Sequence, residues 1–406
     1  MSRDIKITLL HLLIFGSLML ATIDSTGLLL AFGLVLLSMY IIKYACDAFE
    51  DASDYLGTEV YKMAPGVRGA TLEAVASSLP ELFTTLFLLF IFHDQGGFAA
   101  GVATCAGSAV FDAVVIPAVC ILAVTIKGVD GTVIDSLLLK RSTIVRDGFF
   151  FILAEICLII FLGTGVLTWW MGLILMGLYG VYFAVLIKGF GQEDEEEEED
   201  KEEDDSESNL FIALLSFDFN QLLFGGRDFT TSSAWTVLSF ATLTIAGACY
   251  ILSESVMLSA ESLGIAPYFT AVILGAAATS VPDTILSYKD AMKGDYDDAV
   301  ANAVGSNIFD ICVALGLPLV LYTSLQMING SDGYISMATA NTASDGDVQT
   351  LRIVLIGISI AIVGLFLVAP KEDSDGETVL LIGKGHGFTM LGIYGIWTGY
   401  ILMQII

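Results

Sequence analysis

The sequence predicts an all-α polytopic membrane protein, with ten core transmembrane helices arranged as two inverted five-helix repeats and one extra helix ahead of them. Three observations lead there: a composition suited to lipid, a distribution of basic residues that fixes a topology, and an acidic motif that occurs twice. Of 406 residues 55% are hydrophobic, and the mean hydropathy is +0.79, which lies outside the range of soluble domains. Apolar stretches recur that reach or approach the ~20 residues a helix needs to cross ~30 Å of hydrocarbon. Eleven can be placed, at about 5–23, 27–46, 67–92, 97–124, 148–163, 167–188, 233–259, 266–290, 298–323, 350–369 and 387–406.

The first stretch follows Arg3 and Lys6 and reads as an additional N-terminal helix over 1–26, with a signal peptide as the alternative. If the amino terminus is cytoplasmic, sixteen of the seventeen basic residues fall on the inner side and only Arg352 falls outside. The positive-inside rule therefore selects that orientation, which puts the carboxyl terminus outside. Residues 27–188 form the first repeat and 233–406 the second. Between them, 189–232 is a cytoplasmic loop whose 193–207 stretch holds thirteen carboxylates and one lysine. Such a run repels itself and reads as a solvated linker, with a calcium sensor or an electrostatic funnel as the alternatives. Without it the formal charge of −28 becomes −16, a balance that attracts cations and argues against nucleic acid.

The six cysteines (Cys46, Cys105, Cys120, Cys157, Cys249, Cys312) form no CxxC pair and read as packing residues, and three isolated histidines offer no transition-metal site. An Asn-Gly-Ser sequon at Asn329 falls in an outer loop and permits glycosylation. No motif for nucleotide, phosphate or covalent catalysis is present, so neither enzymatic turnover nor a bound cofactor is expected.

Self-comparison locates the chemistry. Ser77-Ser78-Leu79-Pro80-Glu81 answers Thr279-Ser280-Val281-Pro282-Asp283, and Gly107-Ser108-Ala109-Val110-Phe111-Asp112 answers Gly305-Ser306-Asn307-Ile308-Phe309-Asp310. Five spans separate equivalent positions, so the second half enters the membrane inverted, the plan of secondary transporters whose site lies at the repeat interface near the midplane. Proline lacks an N–H and clashes with the carbonyl four residues earlier, so Pro80 should free the carbonyl of Ala76 and Pro282 that of Ala278. In lipid a freed carbonyl needs a partner, and a cation supplies one. Ser77 and Thr279 precede Glu81 and Asp283 by four residues, as Ser108 and Ser306 precede Asp112 and Asp310, which places hydroxyl and carboxylate on one helical face. Gly107 and Gly305 permit close helix approach. Carboxylates, hydroxyls and bare carbonyls together make an all-oxygen shell for a hard cation such as calcium or sodium. Each intramembrane acid costs at least ~2.5–3.5 kcal/mol on insertion scales, so four in two matched pairs point to function rather than packing. Glu73 and Glu155 read equally as pathway or packing residues, and Glu254 and Glu261 as solvated ones.

These motifs, with Gly69-Ala70-Thr71 ahead of the first, resemble the two α-repeats of the cation/calcium exchanger superfamily, and the similarity covers the ten core spans. The resemblance implies ten helices in two inverted halves and electrogenic calcium export driven by sodium entry. It implies ion ligands at Ser77, Ser78, Glu81, Ser108 and Asp112 in the first repeat, and at Thr279, Ser280, Asp283, Ser306 and Asp310 in the second. Three positions depart from the usual pattern: Ser77 replaces threonine, Glu73 stands at a generally apolar place, and Asp112 replaces asparagine. The aspartate of the second repeat is similar to that of the potassium-dependent branch and also to that of sodium-only microbial members.

The expected function is a secondary antiporter moving Ca2+ against Na+, with K+ co-transport left open. Proton-coupled calcium exchange is the alternative, and a cation channel or ion sensor the reading from another class. The partners are the lipid bilayer and inorganic cations. One chain carries a complete pseudo-symmetric site, so a monomer suffices for it.

Overall fold

The computed structural model describes residues 27–63, 72, 74–92, 96–129, 132–190, 210–336, 345–367, 370–372 and 378–403. The extra N-terminal helix, Glu73 and the acidic run lie outside the described residues. The structure is mostly helical. In chain order the main helices are α1 (Leu28–Val60), α2 (Ala74–Ile91), α3 (Gly97–Lys127), α4 (Arg141–Leu162) and α5 (Trp169–Phe190), then α6 (Thr231–Leu263), α7 (Pro267–Thr279 with Val281–Lys293), α8 (Tyr296–Ile328), α9 (Asp345–Leu367) and α10 (Lys384–Met403). By length and hydropathy six of the described helices can cross a membrane, or seven if bent α7 counts as one span.

Local sequence explains the ends and the bends. At the start of α6 Thr230 and Ser233 form a reciprocal capping box, and Gly264 ends the helix at a positive φ of 67°, a conformation glycine adopts freely. Helix α7 bends by 41° at Ser280, because Pro282 cannot donate to the carbonyl of Ala278. Its counterpart Pro80 lies within a continuous α2, so the same proline gives a break in one half and none in the other. Wider π turns occur at Ala271–Gly275 in α7 and Asp310–Ala314 in α8, a distortion frequent at functional sites.

The core lies where the two halves meet. Helix α3 is buried along nearly its whole length and packs against α2, α7, α8 and α10. On the outside, Leu243, Ile328, Phe388 and Ile396 are exposed, as apolar residues are when lipid is the solvent. The cysteines behave as packing residues: five are buried, Cys157 is half-buried, and all six are free.

The helical frame was expected; the described loops add two small antiparallel sheets that an all-α reading does not include. Strand β1 (Ser136–Lys140), ahead of α4, pairs with β5 (Thr378–Gly383), ahead of α10, and β4 (Pro370–Glu372) adds to β5. Strand β2 (Val166–Thr168), after α4, pairs with β3 (Tyr334–Ser336), between α8 and α9. The two sheets thus stand at opposite ends of α4, and each joins one half of the chain to the other. Alternation explains their stability. Leu137 and Leu139 of β1 and Leu380 and Ile382 of β5 are fully buried, whereas Leu138 points outward. The backbone N–H of Lys140 also donates to Asp297 at the start of α8, at 2.7 Å.

Candidate ion-binding site

Helices α2, α3, α7 and α8 bring the repeated motifs together at the centre of the core. Glu81, Asp112, Asp283 and Asp310 are all fully buried, as are Ser78, Ser108, Thr279 and Ser280, with Ser306 1% and Ser77 3% exposed. Ala76 and Ala278, whose carbonyls the prolines cannot serve, are buried with them.

The hydroxyls join the halves. Ser108 Oγ lies 2.8 Å from Ser280 Oγ, and Ser78 Oγ lies 3.2 Å from Ser306 Oγ. Because Ser108 matches Ser306 and Ser280 matches Ser78, the two contacts are images of one another. The next ones follow the same rule: Ser108 donates to Glu81 Oε1 at 3.3 Å, and Ser306 donates to Asp283 Oδ1. The side chain of Thr279 stands beside Glu81 and that of Ser77 beside Asp283, while their hydroxyls also reach carbonyls one turn back, Gly275 and Ala276 for Thr279 and Ala74 for Ser77. The expected pairing of each hydroxyl with the carboxylate four residues on is seen for Ser108 and Asp112, at 3.3 Å, and not for Ser306, which donates to Asp283 instead of Asp310. For Ser77 and Thr279 the neighbouring carboxylate belongs to the opposite half.

What the network leaves open matters as much. Among the described residues Glu81 Oε2, Asp112 Oδ1, Asp283 Oδ2 and both Asp310 oxygens are buried without a hydrogen-bond partner, and no basic group pairs with any of the four. Unpaired buried carboxylates are costly, so the arrangement suits positive charge arriving from outside. Among the described residues no three acidic, histidine or cysteine side chains converge on one point, so a cation here would be shared between carboxylate, hydroxyl and carbonyl oxygens. Asn307, one residue past Ser306, is also fully buried with both amide atoms unpartnered. It stands where the first half has Ala109, and only that mismatch in the repeat signals it. The two motif glycines differ as well. A Cβ on Gly107 would lie 2.8 Å from Ala276 Cβ and closer still to the carbonyl of Val272, whereas a Cβ on Gly305 would meet only Tyr182 Oη, at 3.4 Å.

A cavity between α1, α2 and α7 is lined by Asp47, Glu50, Lys289, Ala76, Pro282 and one residue of the cluster, Ser77. Glu254 and Glu261 are exposed on α6. Glu155 is buried but takes no part in these contacts; it bonds to Ser359 of α9.

The family model described as sodium/calcium exchanger protein matches residues 4–188 and 233–403. The human sodium/potassium/calcium exchanger 5 is 25% identical over 413 residues, covering 84% of this chain and 77% of its own length. The rat sodium/potassium/calcium exchanger 3 is 32% identical over 171 residues, 42% of this chain and 24% of that protein. Among solved structures, the H+/Ca2+ exchanger CAX superposes with a TM-score of 0.60 at 16% identity, covering 99% of this chain and 94% of that one. The sodium-calcium exchanger NCX_Mj gives 0.53 at 17% identity over 91% and 98%. At these identities the structural matches establish the fold.

Proposed function

This chain belongs to the sodium/calcium exchanger protein family, and from that premise we propose that it is a secondary antiporter moving Ca2+ across the membrane in exchange for Na+. The reading comprises two inverted repeats, 27–188 and 233–406, that alternate access around a midplane site, with the amino terminus and the 189–232 loop cytoplasmic and the carboxyl terminus outside. The observation that carries it is the two-fold hydroxyl network with five unpartnered carboxylate oxygens between the halves. Relatives named as exchangers of sodium, potassium and calcium support the same choice of ions.

Charge balance sets the finer question. Four carboxylates buried in one region and a single divalent ion leave two negative charges uncompensated, at a steep cost where the dielectric is low. A potassium ion beside Asp310, both of whose oxygens are open, is one remedy. A proton on Asp112, which stands at the family's usual asparagine position, is the other.

Ca2+ uptake into Na+-loaded proteoliposomes at clamped membrane potential tests all of this. Antiport requires uptake to cease when internal Na+ is replaced by an inert cation; uptake indifferent to the counter-ion is channel behaviour and refutes the proposal. If potassium accompanies calcium, uptake saturates with external K+ and Asp310→Asn removes the dependence. If Asp112 carries a proton, uptake depends steeply on pH and Asp112→Asn flattens the profile while preserving transport.

A further inference from the structure

One buried acid stands apart from the central network. Glu155 of α4 is 2% exposed. Its Oε1 lies 2.7 Å from Ser359 Oγ on α9, and its Oε2 has no partner among the described residues. The side chain borders a small cavity walled by Ala106 and Ala109 of α3, Leu158 and Ile159 of α4, Ile311 of α8 and Leu355 of α9. The space is at the lower limit for one water, and alkyl walls supply none of the further polar partners a buried water needs. They supply none for a metal cation either.

Two acceptors compete for the single proton of Ser359. Ser359 Oγ is also 3.1 Å from the carbonyl of Leu355, one turn back. A carbonyl only accepts, and a serine hydroxyl has a single proton. Helical serines commonly give that proton to the carbonyl four residues back. The 2.7 Å contact is at the usual length of an O–H···O bond: it takes the serine proton if the acid is ionised, and it coexists with the Leu355 bond only if Glu155 donates. We propose that Glu155 is a proton-binding site separate from the ion cluster, a neutral carboxylic acid that donates to Ser359 and so bridges α4 to α9.

The surroundings agree with a neutral group. Along the chain, the titratable residues nearest the cavity walls are Cys105 and Asp112 on α3, Cys157 on α4, and Asp310 and Cys312 on α8. Asp147, two turns before Glu155 on α4, is occupied by Arg146, and Tyr182 of α5 stands next to Asp147. The described side chains of α9 include no titratable group, and no basic group among the described residues pairs with Glu155. Glu155 and Ser359 are 204 residues apart, close to the spacing of the matched motifs. If the halves are related as proposed above, the bridge lies near the axis between them. Ionisation there would set an uncompensated charge in an alkyl cavity and force Ser359 to abandon Leu355.

Infrared difference spectroscopy on the full chain in lipid reads this directly and without transport, so its failure is distinct from failure of the antiport reading. Wild type minus Glu155→Gln at neutral pH should show the carbonyl-stretch band of a protonated carboxyl group. Ser359→Ala, which keeps the acid but removes its acceptor, should move that band to higher frequency; this comparison with wild type stands even where Glu155→Gln folds poorly. Absence of the band from the first difference spectrum, or a band that Ser359→Ala leaves in place, overturns the assignment.

Discussion

Substituting alanine at the two motif glycines separates a sequence repeat from a structural one. In Gly107→Ala the new methyl would lie 2.8 Å from Ala276 Cβ and nearer still to the carbonyl of Val272, where carbon contacts normally need about 3.5–4.0 Å. Helix α3 must retreat from α7 by about 1 Å, at an overpacking cost of about 1–3 kcal/mol. Ser108 moves with it. Its 2.8 Å bond to Ser280 stretches to roughly 3.8 Å, beyond hydrogen-bonding range, and unlinks one of the two matched joints between the halves. Reacting groups displaced by ~1 Å commonly lose on the order of 100-fold in rate, and the same order is expected for Na+-dependent Ca2+ uptake. Gly305→Ala meets only Tyr182 Oη at 3.4 Å, an adjustment of a few tenths of an ångström, and should retain most of its uptake. The assay is initial uptake in proteoliposomes beside a thermal melt of each purified variant. Equal losses in the two variants, or near-normal uptake in Gly107→Ala, would refute the reasoning that close approach at α3 and α7 holds the network together.

Glu81→Gln and Asp283→Asn should each lower Ca2+ uptake by more than the roughly 10–100-fold that loss of an outer-shell partner costs a metal site, with normal insertion and purification; substantial residual flux in either shows that these acids are not ligands. Deleting 193–207 should leave uptake intact, and complete loss in a well-folded deletion variant would show that the run is more than a linker. Because Ser359 must leave Leu355 to serve an ionised Glu155, raising pH should lower the thermal stability of the wild type more than that of Glu155→Gln. Parallel decline of the two melting curves would count against that bridge.

The helical frame was legible because each apolar span is a local signal that needs no knowledge of its neighbours. The central acids were legible because the Ser-x-Pro-acid and Gly-Ser motifs occur twice. Partners across the interface were not. Spacing told that Ser77 and Glu81 share a helical face, but not that Ser77 stands beside Asp283, since that contact depends on how α2 packs against α7. Ser136-Leu137-Leu138-Leu139-Lys140 is too short for a span and reads as loop until β5 is there to pair with it. Pro80 and Pro282 look identical in sequence, yet only the second breaks its helix. Gly107 and Gly305 share a motif but not a neighbour.

The pairing of β1 with β5 bears on the order in which the chain can be completed. Strand β1 leaves the ribosome ~240 residues before its partner, which at about 5–20 residues per second is a delay of roughly 10–50 s. Throughout that interval its backbone donors and acceptors form an open strand edge, the kind of surface that recruits wrong partners. Leu137 and Leu139, fully buried at the end, are meanwhile uncovered. The first half of the molecule can therefore be inserted long before it is finished, and its loop between α3 and α4 stays in need of protection until the chain reaches α10.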